Sequence, residues 1–238
     1  MQLASQALPR CYWGVWWRST LSIAGAEPRE PCDVLWLQGP SYFADLRTPR
    51  PGCATDGGAF VAAFSGKVAW RDPEIVFRRD LDLDTRAGED RAELHLRGGE
   101  LREVGIFHHP EGRQIPYEEI WCRGREGGSD FCVLEGRLSR DPPERPSMRW
   151  VEAGAVAIGI VDERPYGGGF GAAHFVRNAG EWRRVRETGP VCIKPPPIEV
   201  SCAVGESVAL RAGEGLWGAR SWLLRERVGL DARAYGHS

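Results

Sequence analysis

The chain has 238 residues, 42% of them hydrophobic and 27% charged. That composition excludes a disordered chain and is long enough for one large β domain or two small barrels. The net charge is −2, and acidic residues are interspersed among the arginines. Phosphate binding relies on clustered basic excess, so a general nucleic-acid binder is excluded.

The opening MQLASQALPRCYWGVWW lacks a basic start followed by an apolar stretch and predicts no secretory signal. No run has the apolar length of a membrane span. Short segments rich in Val, Ile, Trp and Phe then follow one another. They are GVWWRSTLSI, DVLWLQG, YFADLR, AFVAAFSGKVAW, IVFRRDLDLD, RAELHLRGG, LREVGIF and YEEIWCRG. The second half continues with FCVLEGRLS, AVAIGIVDERP, AAHFVRN, EWRRVRE, IEVSCAVG, SVALRAG and ARSWLLRERVG. Helical periodicity is scarce. So many short strands with close turn signals predict an all-β, antiparallel barrel or sandwich.

Turns are predicted at Gly39-Pro40, Ser65-Gly66, Gly98-Gly99, Ala179-Gly180 and Gly205-Glu206, giving hairpins between sequential strands. RDPPERP, from Arg140 to Pro146, reads as a linker because three prolines cannot lie in a central strand. A second break lies at GREGGSD, from Gly124 to Asp130. Division there gives a first barrel over 1–125, then a second barrel or a continuation of one large barrel over 126–238. EEIWCRGR and RSWLLRER both put a Trp strand before arginine, which fits either a duplication or convergence.

The seven cysteines are Cys11, Cys32, Cys53, Cys122, Cys132, Cys192 and Cys202. Their odd number, strand settings and lack of CxxC spacing predict buried free thiols in a reducing, cytoplasmic compartment. No Cys/His spacing points to a metal. GESVA precedes strand-like text instead of the helix of a nucleophile elbow, and GGGFG lacks dinucleotide-loop spacing. No cofactor is predicted. A haem reading would need His174 or the His108-His109 pair as axial ligand, and nothing marks them as ligating.

The densest stretch is DVLWLQGPSYFADLRT. Strand alternation puts Ser41, Phe43, Asp45 and Arg47 on one face, and Tyr42, Ala44 and Leu46 on the other. The first face is either a solvent-facing ion pair or the lining of a barrel interior. Later, Tyr117, Glu119 and Trp121 share one face, while Glu118, Ile120 and Cys122 share the other. A carboxylate turned inward beside aromatics has its pKa raised, unless it pairs with an interior arginine such as Arg79. In CYWGVWWRS, one tryptophan is expected to belong to the structural core.

Four pieces carry a family resemblance: Trp17-Arg18-Ser19, Trp36-Leu37-Gln38, Phe43-Ala44-Asp45-Leu46-Arg47 and Tyr117-Glu118-Glu119-Ile120-Trp121. Together they resemble a lipocalin-like (calycin) family of fungi and bacteria, that of the fungal casein-kinase-interacting proteins of the Hri type. The resemblance covers about residues 13–123. It implies a calycin-type barrel paired with a second, and no established reaction.

Two functions follow as expectations. One is binding of a small, partly apolar or aromatic molecule by Trp17, Trp36, Phe43, Asp45, Arg47, Tyr117, Glu119 and Trp121. The other is cofactor-independent acid–base catalysis, an isomerisation, cyclisation or hydration, by Asp45, His108, His109, Glu118 or Glu119. A homodimer is compatible with either.

Overall fold

The computed structural model describes residues 6–50, 62–84, 89–108, 111–126, 128, 130–137, 145–191, 193, 195, 207–208 and 221–228. Eight strands form the first half: β1 (Gly14–Ile23), β2 (Cys32–Gln38), β3 (Tyr42–Pro49), β4 (Ala62–Arg71), β5 (Glu74–Asp82), β6 (Glu89–Arg97), β7 (Glu100–His108) and β8 (Gln114–Arg123). Each pairs antiparallel with its sequence neighbour, and β8 returns to β1, closing an up-and-down barrel. The expected all-β antiparallel fold is present. The only helical segments among the described residues are the short 3-10 turns Arg10–Tyr12 and Arg164–Tyr166.

Three hairpin turns fall where the sequence places them, the first at Gly39-Pro40 between β2 and β3. Gly98 and Gly99 join β6 to β7 with φ of 59° and 88°. These left-handed values suit the twist of a two-residue hairpin, and glycine adopts them without steric cost. Ala179-Gly180 turns β12 (Phe170–Asn178) into β13 (Glu181–Thr188). Ser65-Gly66 is different. It is a bulge inside β4, where the register against β5 shifts. A Cβ on Gly66 would sit 1.9 Å from the Arg78 carbonyl oxygen, and Ser65 Oγ donates instead to the Phe43 carbonyl at 2.5 Å. The Gly205-Glu206 turn lies outside the described residues.

The remaining strands are β9 (Phe131–Arg137), β10 (Met148–Ala153), β11 (Val156–Asp162), β12, β13, β14 (Ser207–Val208) and β15 (Ser221–Val228). They form a seven-stranded sheet in the order β13-β12-β11-β10-β9-β15-β14. The proline-rich stretch near 140–146 is therefore no linker between halves; it joins β9 to β10, which pair with each other. The change from barrel to sheet falls between Arg123 and Phe131, at the glycine-rich break. Of GESVA, the described residues Ser207 and Val208 form the strand β14.

Three apolar clusters build the molecule. Trp16, Trp36, Phe43, Phe64, Trp70, Phe77 and Trp121 fill the barrel interior with their neighbours. On the outer side of the same strands, Val15, Leu35, Leu37, Tyr42, Ala44 and Leu46 pack against Val133, Val151, Ile158 and Ile160 of the sheet. Leu134, Trp150, Phe175 and Trp222 form the third cluster on the sheet's far face. β2 and β3 are thus buried on both faces, unlike the half-solvated strands usual in antiparallel sheets.

Polar links tie the two halves. Arg149, fully buried, reaches Asp80 at 2.5 and 2.7 Å, Glu135 at 2.6 Å and Ser65 Oγ at 3.3 Å. Cys11, Cys32, Cys122 and Cys132 are free thiols. Cys32 and Cys132 are buried, but Cys11 and Cys122 are exposed, which corrects the expectation of uniformly buried thiols. Cys122 follows Trp121 on β8, so alternation turns it outward. Cys53, Cys192 and Cys202 lie outside the described residues. No helix among those residues is long and apolar enough to cross a membrane.

Candidate ligand site inside the first barrel

The barrel's two ends differ. Short turns at 39–41, 72–73 and 98–99 close one end, together with the N-terminal segment. There Leu8 and Tyr12 pack on the interior cluster, and the Trp16 indole donates to the Tyr12 carbonyl at 2.8 Å. Trp16 is fully buried and is the core tryptophan of this segment. The other end is marked by the opposite strand termini, Ile23 and Cys32, Pro49 and Ala62, Asp82 and Glu89, and His108 and Gln114.

The interior is layered between those ends. Near the short turns lies an aromatic floor. Trp36 stands edge-on to Trp121 and Phe77, with centroids 5.1 and 5.8 Å apart, and Phe43 meets Phe77 at 5.0 Å. Above it lies a charged belt. Arg18 donates to Glu30 at 2.6 and 3.1 Å and to Glu119 at 2.5 Å, and all three side chains are almost wholly buried. Arg47 grips Asp45 through Nε at 2.9 Å and Nη2 at 3.3 Å. Arg79 pairs with Asp82 at 3.2 Å and with Asp90. The Phe64 ring lies between two guanidinium groups, 3.8 Å from that of Arg79 and 5.1 Å from that of Arg47.

Glu103 completes the belt. It accepts hydrogen bonds from the Tyr117 hydroxyl at 3.0 Å and the Trp121 indole at 3.1 Å. The Tyr117 ring lies over Gly105, where a Cβ would come within 2.5 Å of it. Only a glycine lets the ring take that place. Burial first, and the Glu119 charge second, push the Glu103 carboxyl up to about 8. Burial, Glu103 and Glu119 push the Tyr117 hydroxyl well above its usual range. Burial opposes the charge on Arg47, but Asp45, Glu119 and Glu103 outweigh it and hold that pKa above its ordinary value.

Arg47 keeps 27% of its side-chain surface accessible, although it projects to the inner side of the barrel. Beside Phe64, this partly accessible guanidinium keeps Nη1 without a hydrogen-bond partner among the described residues.

Of the residues the sequence singles out, the structure brings Trp36, Phe43, Asp45, Arg47, Tyr117, Glu119 and Trp121 together inside the barrel. Asp45 and Arg47 are an interior pair, not a solvent-facing one. Glu119 pairs with Arg18, not with Arg79. Trp17 does not join them. It lies on the outer side with Val15, and its indole packs edge-on against His174 of the sheet, 5.7 Å between centroids. Glu118 is exposed and pairs with Arg102 at 2.6 Å. His108 is exposed at the end of β7, and His109 lies outside the described residues. His174 sits between the halves, away from the interior. Arg18, Glu30, Phe64 and Glu103 are interior residues that sequence reasoning missed.

Fold and site together define an antiparallel β protein whose closed eight-strand barrel encloses a charged belt over aromatic residues. The chain belongs to the HRI1 family: the family described as Protein HRI1 matches residues 15–219. The match runs well beyond residue 123 and takes in most of the second half. No curated protein and no solved structure matches the chain.

Proposed function

We propose that the first barrel binds a small, partly apolar molecule, admitted from the end opposite the N-terminal segment. The carrying observation is the partly accessible Arg47 guanidinium beside Phe64, its Nη1 without a partner among the described residues, above the aromatic floor. A few convergent polar groups on an apolar lining are what small-molecule sites share. An up-and-down barrel of eight strands is also the calycin arrangement, a strand number that in ligand-binding barrels encloses one small molecule. Kinship with calycins, and a second barrel completed by the C-terminal half, belong to this reading. The free thiols Cys11, Cys32, Cys122 and Cys132 support a reducing, cytoplasmic setting.

The test is to incubate the purified chain with a metabolite extract and identify what is retained. The expected result is unchanged compound at one per chain, lost when Phe43 is truncated to Ala. Retention that Phe43→Ala does not alter overturns the reading.

One observation favours a second reading, acid–base catalysis in the same interior. Glu103 carries a proton near neutral pH and is bonded to Tyr117. Under it, a transformed product forms and disappears in Glu103→Gln, while ligand affinity survives.

A further inference from the structure

The charges of the belt do not balance. Arg18 is shared by Glu30 and Glu119, Arg47 holds Asp45, and Arg79 holds Asp82 and Asp90. Glu103 has two neutral donors, Tyr117 and Trp121, and no cation bonded to it among the described residues. Around it stand Tyr117 and Glu119 from β8, and Asp45 and Arg47 from β3. Leu94, its partner on β6, is apolar. Arg18 and Arg47 together meet Glu30, Glu119 and Asp45, so this part of the belt lacks one positive charge before Glu103 is counted.

That deficit selects among ligands. An organic anion approaching Arg47 meets a guanidinium already flanked by Asp45, Glu119 and Glu103. An organic cation meets a buried carboxyl with no cationic partner and the ring of Tyr117 beside it. The stacking of Arg47 and Arg79 on Phe64 shows that aromatic rings of this belt accept cations.

We infer that the barrel interior takes an organic cation, an amine or quaternary ammonium on an apolar body, with Glu103 as its counter-ion; this rests on the reading of the barrel as a ligand site. The unliganded Glu103 holds a proton at pH 7, because its pKa lies at about 8. The arriving cation takes that proton's place, and the proton leaves to solvent. Binding therefore strengthens as pH rises toward 8.

The experiment uses the full chain and three matched probes: benzyltrimethylammonium, its neutral carbon analogue neopentylbenzene, and phenylacetate. Tryptophan fluorescence reads affinity. Calorimetry at pH 7 in two buffers of different ionisation heat counts protons. The cation is expected to bind about tenfold tighter than phenylacetate and to release about one proton per ligand. In Glu103→Gln the cation weakens about tenfold and proton release vanishes, while neopentylbenzene binds as before and reports an intact interior. Phenylacetate binding tighter than the cation, no proton release by the wild-type chain, or cation affinity unchanged in Glu103→Gln overturns the inference. If neopentylbenzene alone binds, only the inference falls. If none of the three binds, the ligand-site reading falls with it.

Discussion

The Trp17 indole stands edge-on to the His174 imidazole across the seam between barrel and sheet, their centroids 5.7 Å apart. His174 is buried, and its Nε2 has no hydrogen-bond partner among the described residues. Burial first, and the Arg186 charge second, push its pKa down to about 4. The unfolded chain then holds more protons on this residue than the folded chain between pH 4 and about 6.5, so stability from it is lost as pH falls through that window. Glu103 has the opposite sign. Its raised pKa means the folded chain holds the extra proton between about 4.5 and 8, and stability falls as pH rises. The two slopes, each about 1.4 kcal/mol per pH unit, oppose one another between about 4.5 and 6.5. Buried Glu152 and Glu226, also raised, add to the falling slope, so the test is a comparison with the wild-type denaturant profile across that range. Relative to it, Glu103→Gln should tilt the profile upward with pH and His174→Phe downward. Parallel profiles for the three proteins would contradict these assignments.

Removing Arg18 leaves Glu30 and Glu119 buried without their shared cation. Arg18→Ala is expected to cost roughly 3–5 kcal/mol in denaturant unfolding. Arg102→Ala, which breaks the exposed pair with Glu118, should cost less than about 1 kcal/mol. Similar losses in the two variants would place Arg18 in solvent.

Gly105 tests the seat of Tyr117. Gly105→Ala brings a Cβ against the Tyr117 ring and should cost about 1–3 kcal/mol by overpacking. In a Tyr117→Ala background the same change should cost little, and the difference in a double-mutant cycle measures the clash. Equal costs in both backgrounds would mean that the ring does not rest there.

Thiol titration of the native chain should label Cys11 and Cys122 rapidly, and Cys32 and Cys132 only after unfolding. In denaturant without reductant, most of the seven cysteines should react. Finding a single reactive thiol would mean disulfides and an oxidising compartment.

Two-residue periodicity made much of this legible. It grouped Phe43 with Asp45 and Arg47, and Tyr117 with Glu119 and Trp121. It did not say which face of β3 lines the barrel, because Tyr42, Ala44 and Leu46 on the other face are buried as well, under the sheet. Trp17 lies on the outer side because the strand turns its neighbours Trp16 and Arg18 inward. Glu103 was hidden because LREVGIF reads as a strand with an ordinary charged pair. A signal was available: the Gly98-Gly99 hairpin runs β6 into β7, and β7 in turn sets Glu103 directly opposite Glu119. Glu30 comes from a loop, where periodicity carries no information.

The Arg18–Glu119 pair joins residues 101 positions apart, on the strands that close the barrel. If β8 slid by one residue along β1, Glu119 would turn to solvent and the apolar outer positions would exchange with the inner ones. Arg18 would then face the interior with half its countercharge gone. Misregistered closure is thus penalised at one spot deep inside the molecule. The same ions that leave the barrel interior short of positive charge also proofread the seam that seals it.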